Sequence, residues 1–253
     1  MINFSKKLKS LGPCLLWASA AIGVSHIVQS TRAGATYGYI LLVAVLLANL
    51  FKYPFFEFAT RYTTVRNETV LDGYLKLGKS AIYLFTILTL LTMFTIQAGV
   101  TRVTAAIFKN WLQLDLSFVY CSVLVLTLCI LIILFFKRKY FNNFIKILVL
   151  ILILSSIISL FLTTNINIDN LNEFAAPKII SYTGITFLIA LVGWMPSPID
   201  LSAWSSIWIM EKREQGEIVS YDDNKFDFNF SYIWTTFLAC LLYTSPSPRD
   251  FTE

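Results

Sequence analysis

Seven stretches of the sequence carry no charged side chain and are each roughly 20 residues long, the length that a helix needs to cross a bilayer. They are residues 10–31, 34–51, 80–101, 116–136, 147–168, 179–199 and 228–248. Charged residues make up only 14% of the chain, against about 25% in soluble proteins. The pattern predicts an all-α polytopic membrane protein and excludes a soluble enzyme, a disordered chain and a nucleic-acid-binding protein.

These stretches, extended into their flanking residues, predict seven membrane helices in a transmembrane domain that covers residues 1–241. The predicted helices span approximately residues 11–31, 34–58, 80–106, 116–136, 143–163, 179–210 and 229–241. A Pro/Ser-rich segment, Thr244–Asp250, interrupts the last charge-free stretch and resembles the read-through tail of a truncated gene model. We therefore expect residues 242–253 to be non-native and the chain to be truncated at its C-terminal end.

Basic residues concentrate in the loops that the predicted topology places on one side of the membrane. They are Lys6, Lys7, Lys9, Arg61, Arg66, Lys76, Lys79, Lys137, Arg138, Lys139 and Lys146. By the positive-inside rule, we expect the N terminus to be cytoplasmic and the protein to span a plasma or inner membrane. The expected partner is the lipid bilayer, and the sequence leaves the oligomeric state open.

Two of the charge-free stretches contain residues that a continuous membrane helix avoids: Gly23–His26 in the first and Gly193–Pro198 in the sixth. Pro196 and Pro198 each remove a backbone donor and crowd the preceding turn, at a cost of about 3 kcal/mol or more inside a helix. We expect helix breaks at Gly23, Pro196 and Pro198. Because freed backbone groups at bilayer depth require protein or water partners, the breaks predict an internal polar site, with a simple kink as the alternative.

Interruptions in the first and sixth helices are typical of inverted-repeat transporters, which bind substrate at the midplane between two discontinuous helices. Four motifs add to this pattern: Gly12–Pro13, Ala33–Tyr39, Ala48–Asn49 and Met195–Pro196. Together they resemble the Nramp (natural resistance-associated macrophage protein) family of proton-coupled divalent metal transporters, over about the first 210 residues. The resemblance implies a divergent member with a LeuT-like fold, incomplete here, with helices 1 to 6 and part of 7.

In that family, the first broken helix carries an Asp-Pro-Gly-Asn motif and the sixth carries Met-Pro-His. Aligned on these motifs, Gly23 replaces the metal-binding Asp, His26 replaces the Asn, and Ser197 replaces the His, whereas Met195 is retained. Gly23 and Gly193 would contribute backbone carbonyls. The predicted substrate-binding site consists of Gly23, His26, Gly193, Met195, Ser197 and Asp200.

The candidate metal ligands are His26, Met195 and Asp200. Imidazole and thioether groups favour borderline or softer ions, such as iron or zinc, over magnesium and calcium. A divalent ion in a low-dielectric site also needs a compensating negative charge, and Asp200, five residues after Met195, is the candidate. The alternative is that Asp200 caps the N-terminal end of the second half-helix.

Three residues are candidates for a proton path or for gating: His26, Glu57 and Arg102. His26 has an ordinary pKa near 6.5, which suits proton exchange. Glu57 lies near the cytoplasmic end of the second predicted helix, where it would pair with Lys52 or Arg61. Arg102, at the end of the third, would either face the membrane interface or repel cations.

These observations predict a secondary active transporter of manganese-like or iron-like divalent cations, in symport with protons. The metal ion would be the substrate, with no bound cofactor. One alternative is a LeuT-fold carrier for a small organic solute or an amino acid, and another is a structural homologue that does not transport. An enzyme is not expected, because the sequence has no Gly-rich phosphate loop, no paired nucleophile and base, and no His/Glu cluster.

Overall fold

A computed structural model describes residues 13–23, 25–135, 179–216 and 220–243, together with scattered helical positions between 140 and 158. Within these residues the chain forms helices and no strand. In chain order the elements are α1 Pro13–Ala21, a π-helix Ser25–Ser30, α2 Thr31–Tyr37, α3 Ile40–Arg66, α4 Val70–Leu77, α5 Lys79–Trp111, α6 Phe118–Phe135, α7 Tyr182–Trp194, α8 Leu201–Glu214 and α9 Tyr221–Tyr243.

Three of the described helices, α3, α5 and α6, are long and apolar enough to cross a membrane. The helix α7 is equally apolar but has 13 residues, because the chain leaves helical geometry after Trp194. Large apolar side chains on α5 and α6, such as Leu91, Phe94 and Phe135, are exposed. In a bilayer this exposure places them against lipid, where burial inside protein is not required.

The described chain divides into two compact units. The unit that contains both predicted breaks comprises residues 1–72 and 146–253, and its centre is α9, which packs against α1, α3 and the π-helix. In the same unit, α8 contacts α1 and α3, and α7 contacts α3 and the π-helix. The second unit, residues 73–145, is built on the packing of α5 against α6.

An aromatic cluster holds α1 against its two long neighbours. Trp17 of α1 is 1% exposed and stacks on Tyr232 of α9, with ring centroids 5.5 Å apart. Its other contact is an edge-on packing against Phe56 of α3, at 5.4 Å. Burial of a Trp side chain against aromatic rings contributes several kcal/mol, so this short first helix depends on tertiary packing rather than on its own length.

Asn49, the polar residue of the Ala48–Asn49 motif, joins α3 to α9. Its amide donates to the Val45 carbonyl (2.8 Å), and its side-chain oxygen accepts from the Thr236 hydroxyl (3.0 Å). The Tyr232 hydroxyl donates to the backbone carbonyl of Asn49 at 2.6 Å. A buried amide is stable in this setting because its polar atoms have partners.

Several helix ends differ from the bounds that the charge pattern predicts. The helix α3 begins at Ile40 because Gly38, with φ +57°, ends α2. The helix α9 begins at Tyr221, inside a segment that the charge pattern treats as loop, because the Asp223 amide donates to the Ser220 hydroxyl in a capping interaction (3.2 Å). The first turns of α9 therefore contain charged residues, and its apolar part begins after them.

The last turn of α9 includes Leu242 and Tyr243, two residues of the segment that we expect to be non-native. Both are buried, and the Tyr243 hydroxyl donates to the Gly38 carbonyl. Residues 244–253 lie outside the described residues, so the origin of the tail stays a prediction. Gly34 of α2 packs directly against this turn: a Cβ atom added there would overlap the backbone carbonyl of Tyr243.

We expect Gly34→Ala to lower the thermal unfolding temperature of the detergent-purified protein, because overpacking of backbone against backbone costs about 1–3 kcal/mol. The matched control is Gly99→Ala in α5, where an added Cβ meets no atom within 4 Å. Alanine there favours the helix by up to about 1 kcal/mol. Equal unfolding temperatures for the two variants would show that α2 does not pack on the last turn of α9.

Candidate functional site

The first helical break lies between α1 and the π-helix. The helix α1 ends at Ala21, and the Gly23 amide bonds back to the Ala21 carbonyl at 3.0 Å. The carbonyl of Gly23 accepts the amides of His26 (3.1 Å) and Ile27 (3.0 Å). Gly23, predicted to offer its carbonyl to a metal ion, thus already uses that carbonyl to start the π-helix.

His26, in the first turn of the π-helix, is completely buried. The backbone carbonyls of Ala21 and Thr235 face its imidazole. Its ring therefore lies between the end of α1 and the middle of α9. A metal ion would bind the imidazole in place of one of these carbonyls, since each ring nitrogen offers one donor or one lone pair.

The second break separates α7 from α8. Met195 follows α7 in extended conformation, with φ −100° and ψ 128°, and the next helix begins at Leu201. Pro196 and Pro198 lie in this non-helical segment. Since neither proline can donate a backbone hydrogen bond, the segment cannot close regular helical turns.

Two predicted site residues in this segment are fully buried. Met195 belongs to an apolar cluster with Val45, Leu191 and Ala239, and Ala239 lies one turn of α9 beyond Thr235, which faces His26. The π-helix also contacts α7 directly. Ser197 donates a long hydrogen bond to the Pro198 carbonyl (3.4 Å). His26 thus lies beside α9, and Met195 shares its cluster with a residue of the same helix.

Asp200 occupies the N-cap position of α8 and is partly buried. Its backbone carbonyl accepts the amide of Ala203 (3.0 Å), but its side chain makes no capping hydrogen bond to the described residues of α8. Its backbone is in the right-handed helical region, whereas a typical N-cap residue is extended. No hydrogen bond of capping geometry holds the carboxylate, although the amides of Asp200 and Leu201 lie beside it.

Gly193, the second predicted carbonyl ligand, lies in the last turn of α7 and has a cationic partner. The ammonium group of Lys52 donates to the Val192 carbonyl at 2.6 Å and to the Gly193 carbonyl at 2.9 Å. Lys52 comes from the middle of α3. Of the two partners that the sequence suggests for Glu57, Lys52 and Arg61, the structure pairs it with Arg61 of its own helix, at 3.8 Å.

The two remaining gating candidates have different surroundings. Glu57 lines a small surface cleft with Thr60, Arg61, Thr64 and residues of α9. Arg102 belongs to the second unit, where its guanidinium lies 5.8 Å from the centroid of the Phe118 ring. The helix α5 continues to Trp111, so Arg102 lies within this helix rather than at its end.

Sequence reasoning missed a buried acid, Asp227 of α9. Its carboxylate is completely buried and accepts the backbone amide of Cys14 (3.1 Å), in the first turn of α1, where helix amides lack internal partners. The sequence suggests a loop here, because Asp222, Asp223 and Lys225 lie close by. The capping pattern of Ser220 and Asp223 is the signal that could have indicated a helix.

Among the residues that the structure describes, no three His, Cys, Asp or Glu side chains come together in an arrangement that could hold a metal ion. A bound ion would therefore draw on mixed donors, namely an imidazole, a thioether, a hydroxyl and backbone carbonyls. His26, Met195 and Ser197 are the buried candidates for such a set.

A family model described as natural resistance-associated macrophage protein-like matches residues 14–245, which include both breaks. The chain belongs to the Nramp family. As an Nramp protein it is a multi-pass integral membrane protein with the all-α, LeuT-like fold of that family of transporters. The discontinuous first and sixth helices are the elements on which such folds build a substrate site.

The chain is also 36% identical to an uncharacterised protein of Pasteurella multocida (strain Pm70) over 240 residues. The aligned region covers 94% of this chain and 55% of that protein, so this Nramp chain spans about half the length of its relative. No solved structure matches the chain significantly.

We expect Asp200→Ala to change the thermal unfolding temperature by an amount equivalent to less than about 0.5 kcal/mol, because no hydrogen bond of its side chain caps α8. Ser181→Ala is the matched comparison, since the Ser181 hydroxyl does cap α7, accepting the Gly184 amide at 3.1 Å. Loss of that cap costs about 1 kcal/mol. A loss for Asp200→Ala as large as that for Ser181→Ala would restore the capping interpretation.

Proposed function

We propose that this protein is a secondary active transporter of divalent metal cations of the manganese and iron class, working in symport with protons. The observation that carries the proposal is the placement of two buried donors, His26 and Met195, at the breaks of two discontinuous helices in a member of the Nramp family. In inverted-repeat carriers, such breaks form the midplane site that is opened alternately to the two sides.

The donor chemistry favours ions at the softer end of the divalent series. A thioether and an imidazole bind iron, zinc or cadmium better than magnesium or calcium, whose preferred ligands are oxygens. Ser197 and the partly buried Asp200 would add oxygen ligands, and the carboxylate of Asp200 would compensate part of the ionic charge. His26 is the proposed carrier of a coupled proton, with Glu57 and Arg102 in path or gating roles.

The proposed setting is a plasma or inner membrane with the N terminus in the cytoplasm, as the distribution of basic residues favours. The same orientation places Arg213 and the charged first turns of α9 on the cytoplasmic side. Tagging the N terminus and testing its accessibility to a membrane-impermeant reagent checks this orientation.

A specific feature favours a second candidate, a carrier for a small organic solute or an amino acid. Gly23 stands where the Nramp motif has a metal-binding carboxylate, and Lys52 places a positive charge at the second break. A lysine ammonium would suit a substrate carboxylate. A homologue without transport activity is the third candidate.

We expect Met195→Leu to raise the dissociation constant for Cd²⁺ about tenfold, equivalent to about 1.4 kcal/mol, because the soft thioether ligand is removed. The constant for Mn²⁺, which relies more on oxygen ligands, should change less. Met93→Leu, at an exposed position of α5, is the matched control and should bind both ions as the unmodified protein does. Isothermal titration calorimetry measures both dissociation constants for the unmodified protein and for the two variants, each purified in detergent.

His26→Gln should weaken the binding of both ions and flatten the pH dependence of uptake into proteoliposomes, because the imidazole is the proposed ligand and proton carrier. If the unmodified protein binds neither metal but binds an amino acid, the organic-solute alternative replaces the proposed function. If it binds and transports none of them, the non-transporting homologue is the correct interpretation.

A further inference from the structure

The second break of this fold contains a cation that belongs to the protein itself. The helix α7 ends at Trp194, so the carbonyls of its last turn lack the amides of a following turn. Lys52 of α3 fills this gap, with its ammonium group 2.6 Å from the Val192 carbonyl and 2.9 Å from the Gly193 carbonyl. The side chain reaches these atoms from a different helix and is partly buried.

The end of a half-helix inside a membrane is a place that favours cations. The aligned peptide dipoles give the C-terminal end of a helix a partial negative charge. In carriers with discontinuous helices, such ends and the unwound carbonyls beside them coordinate the transported or coupling cation. The ammonium group of Lys52 therefore occupies a position that a free ion would otherwise favour.

The same protein contains a second basic side chain that caps the carbonyls of a helix end, and its surroundings differ from those of Lys52. Arg213 of α8 donates to the Thr64 carbonyl (2.7 Å) and to the Thr63 carbonyl (3.4 Å) at the end of α3. That end is a complete helix terminus closed by Asn67 in left-handed conformation, away from either break. Lys52, by contrast, contacts the turn that leads directly into Met195.

We infer that Lys52 is a built-in cation that occupies the C-terminal end of the half-helix α7 and sets the specificity of the site by excluding free divalent ions from the Val192 and Gly193 carbonyls. The inference rests on the proposed function. An ammonium group and a divalent ion on the same carbonyls would repel each other strongly in a low-dielectric site. A metal ion in the native protein therefore relies on His26 and Met195, and the oxygen-preferring ions lose most from this exclusion.

The test compares metal binding by the unmodified protein and three variants, each purified in detergent, with Mn²⁺ and Cd²⁺ as probes. We expect Lys52→Met to lower the dissociation constant for Mn²⁺ about tenfold or more, because two carbonyl oxygens become available and a neighbouring positive charge is removed. The gain for Cd²⁺ should be smaller. Lys52→Arg keeps the positive charge and should bind both ions as the unmodified protein does.

Arg213→Met is the matched control for the loss of a carbonyl-capping cation, and we expect it to lower the thermal unfolding temperature without tightening Mn²⁺ binding. If Lys52→Met does not yield monodisperse protein, Lys52→Gln replaces it, since the amide keeps a neutral donor for one carbonyl and should still tighten Mn²⁺ binding. Calorimetry and thermal unfolding are recorded on the same preparations.

Two results would overturn the inference, and they differ in what they say about the proposed function. If the unmodified protein binds metal and the Lys52 variants bind it with the same affinity, Lys52 is a structural cap and the proposed function stands. If neither the unmodified protein nor any variant binds metal, removal of Lys52 has not admitted an ion, and both the inference and the proposed function are wrong.

Discussion

Backbone groups that leave helical geometry inside a bilayer must find partners within the protein, and the arrangement of this chain follows from that constraint. At the first break, the Gly23 carbonyl takes two amides of the π-helix, and the His26 side chain lies between carbonyls of two helices. At the second, Lys52 takes the last carbonyls of α7. Each break is thus closed by an interaction that also defines the candidate site.

The helix α9 is the element that joins these interactions. It carries Tyr232, whose hydroxyl donates to the Asn49 carbonyl of α3 and whose ring stacks on Trp17 of α1. It also carries Asp227, whose carboxylate accepts the Cys14 amide in the first turn of α1. Thr235 faces His26 one turn before Ala239, which packs in the cluster of Met195. Both breaks are next to α9. A change in the contacts of this helix would therefore affect both the stability of the fold and the geometry of the candidate site.

The site differs in charge from the one that the family resemblance implies. Gly23 replaces an acid, whereas Lys52 adds a base, so the two breaks hold more positive charge than a site built around a metal-binding Asp. Electrostatic compensation for a divalent ion would come from Asp200, whose side chain does not cap α8.

The sequence by itself determined the class of fold, because charge-free stretches of membrane length admit few structures other than membrane helices, and α3, α5 and α6 meet that requirement. It also determined the non-helical character of Pro196 and Pro198, since neither residue can donate a hydrogen bond. Only the tertiary structure decided that Lys52 meets the end of α7 and that Asp227 meets Cys14. These pairs are far apart in the chain, and their contacts depend on how helices pack, which local patterns of charge and apolarity do not specify.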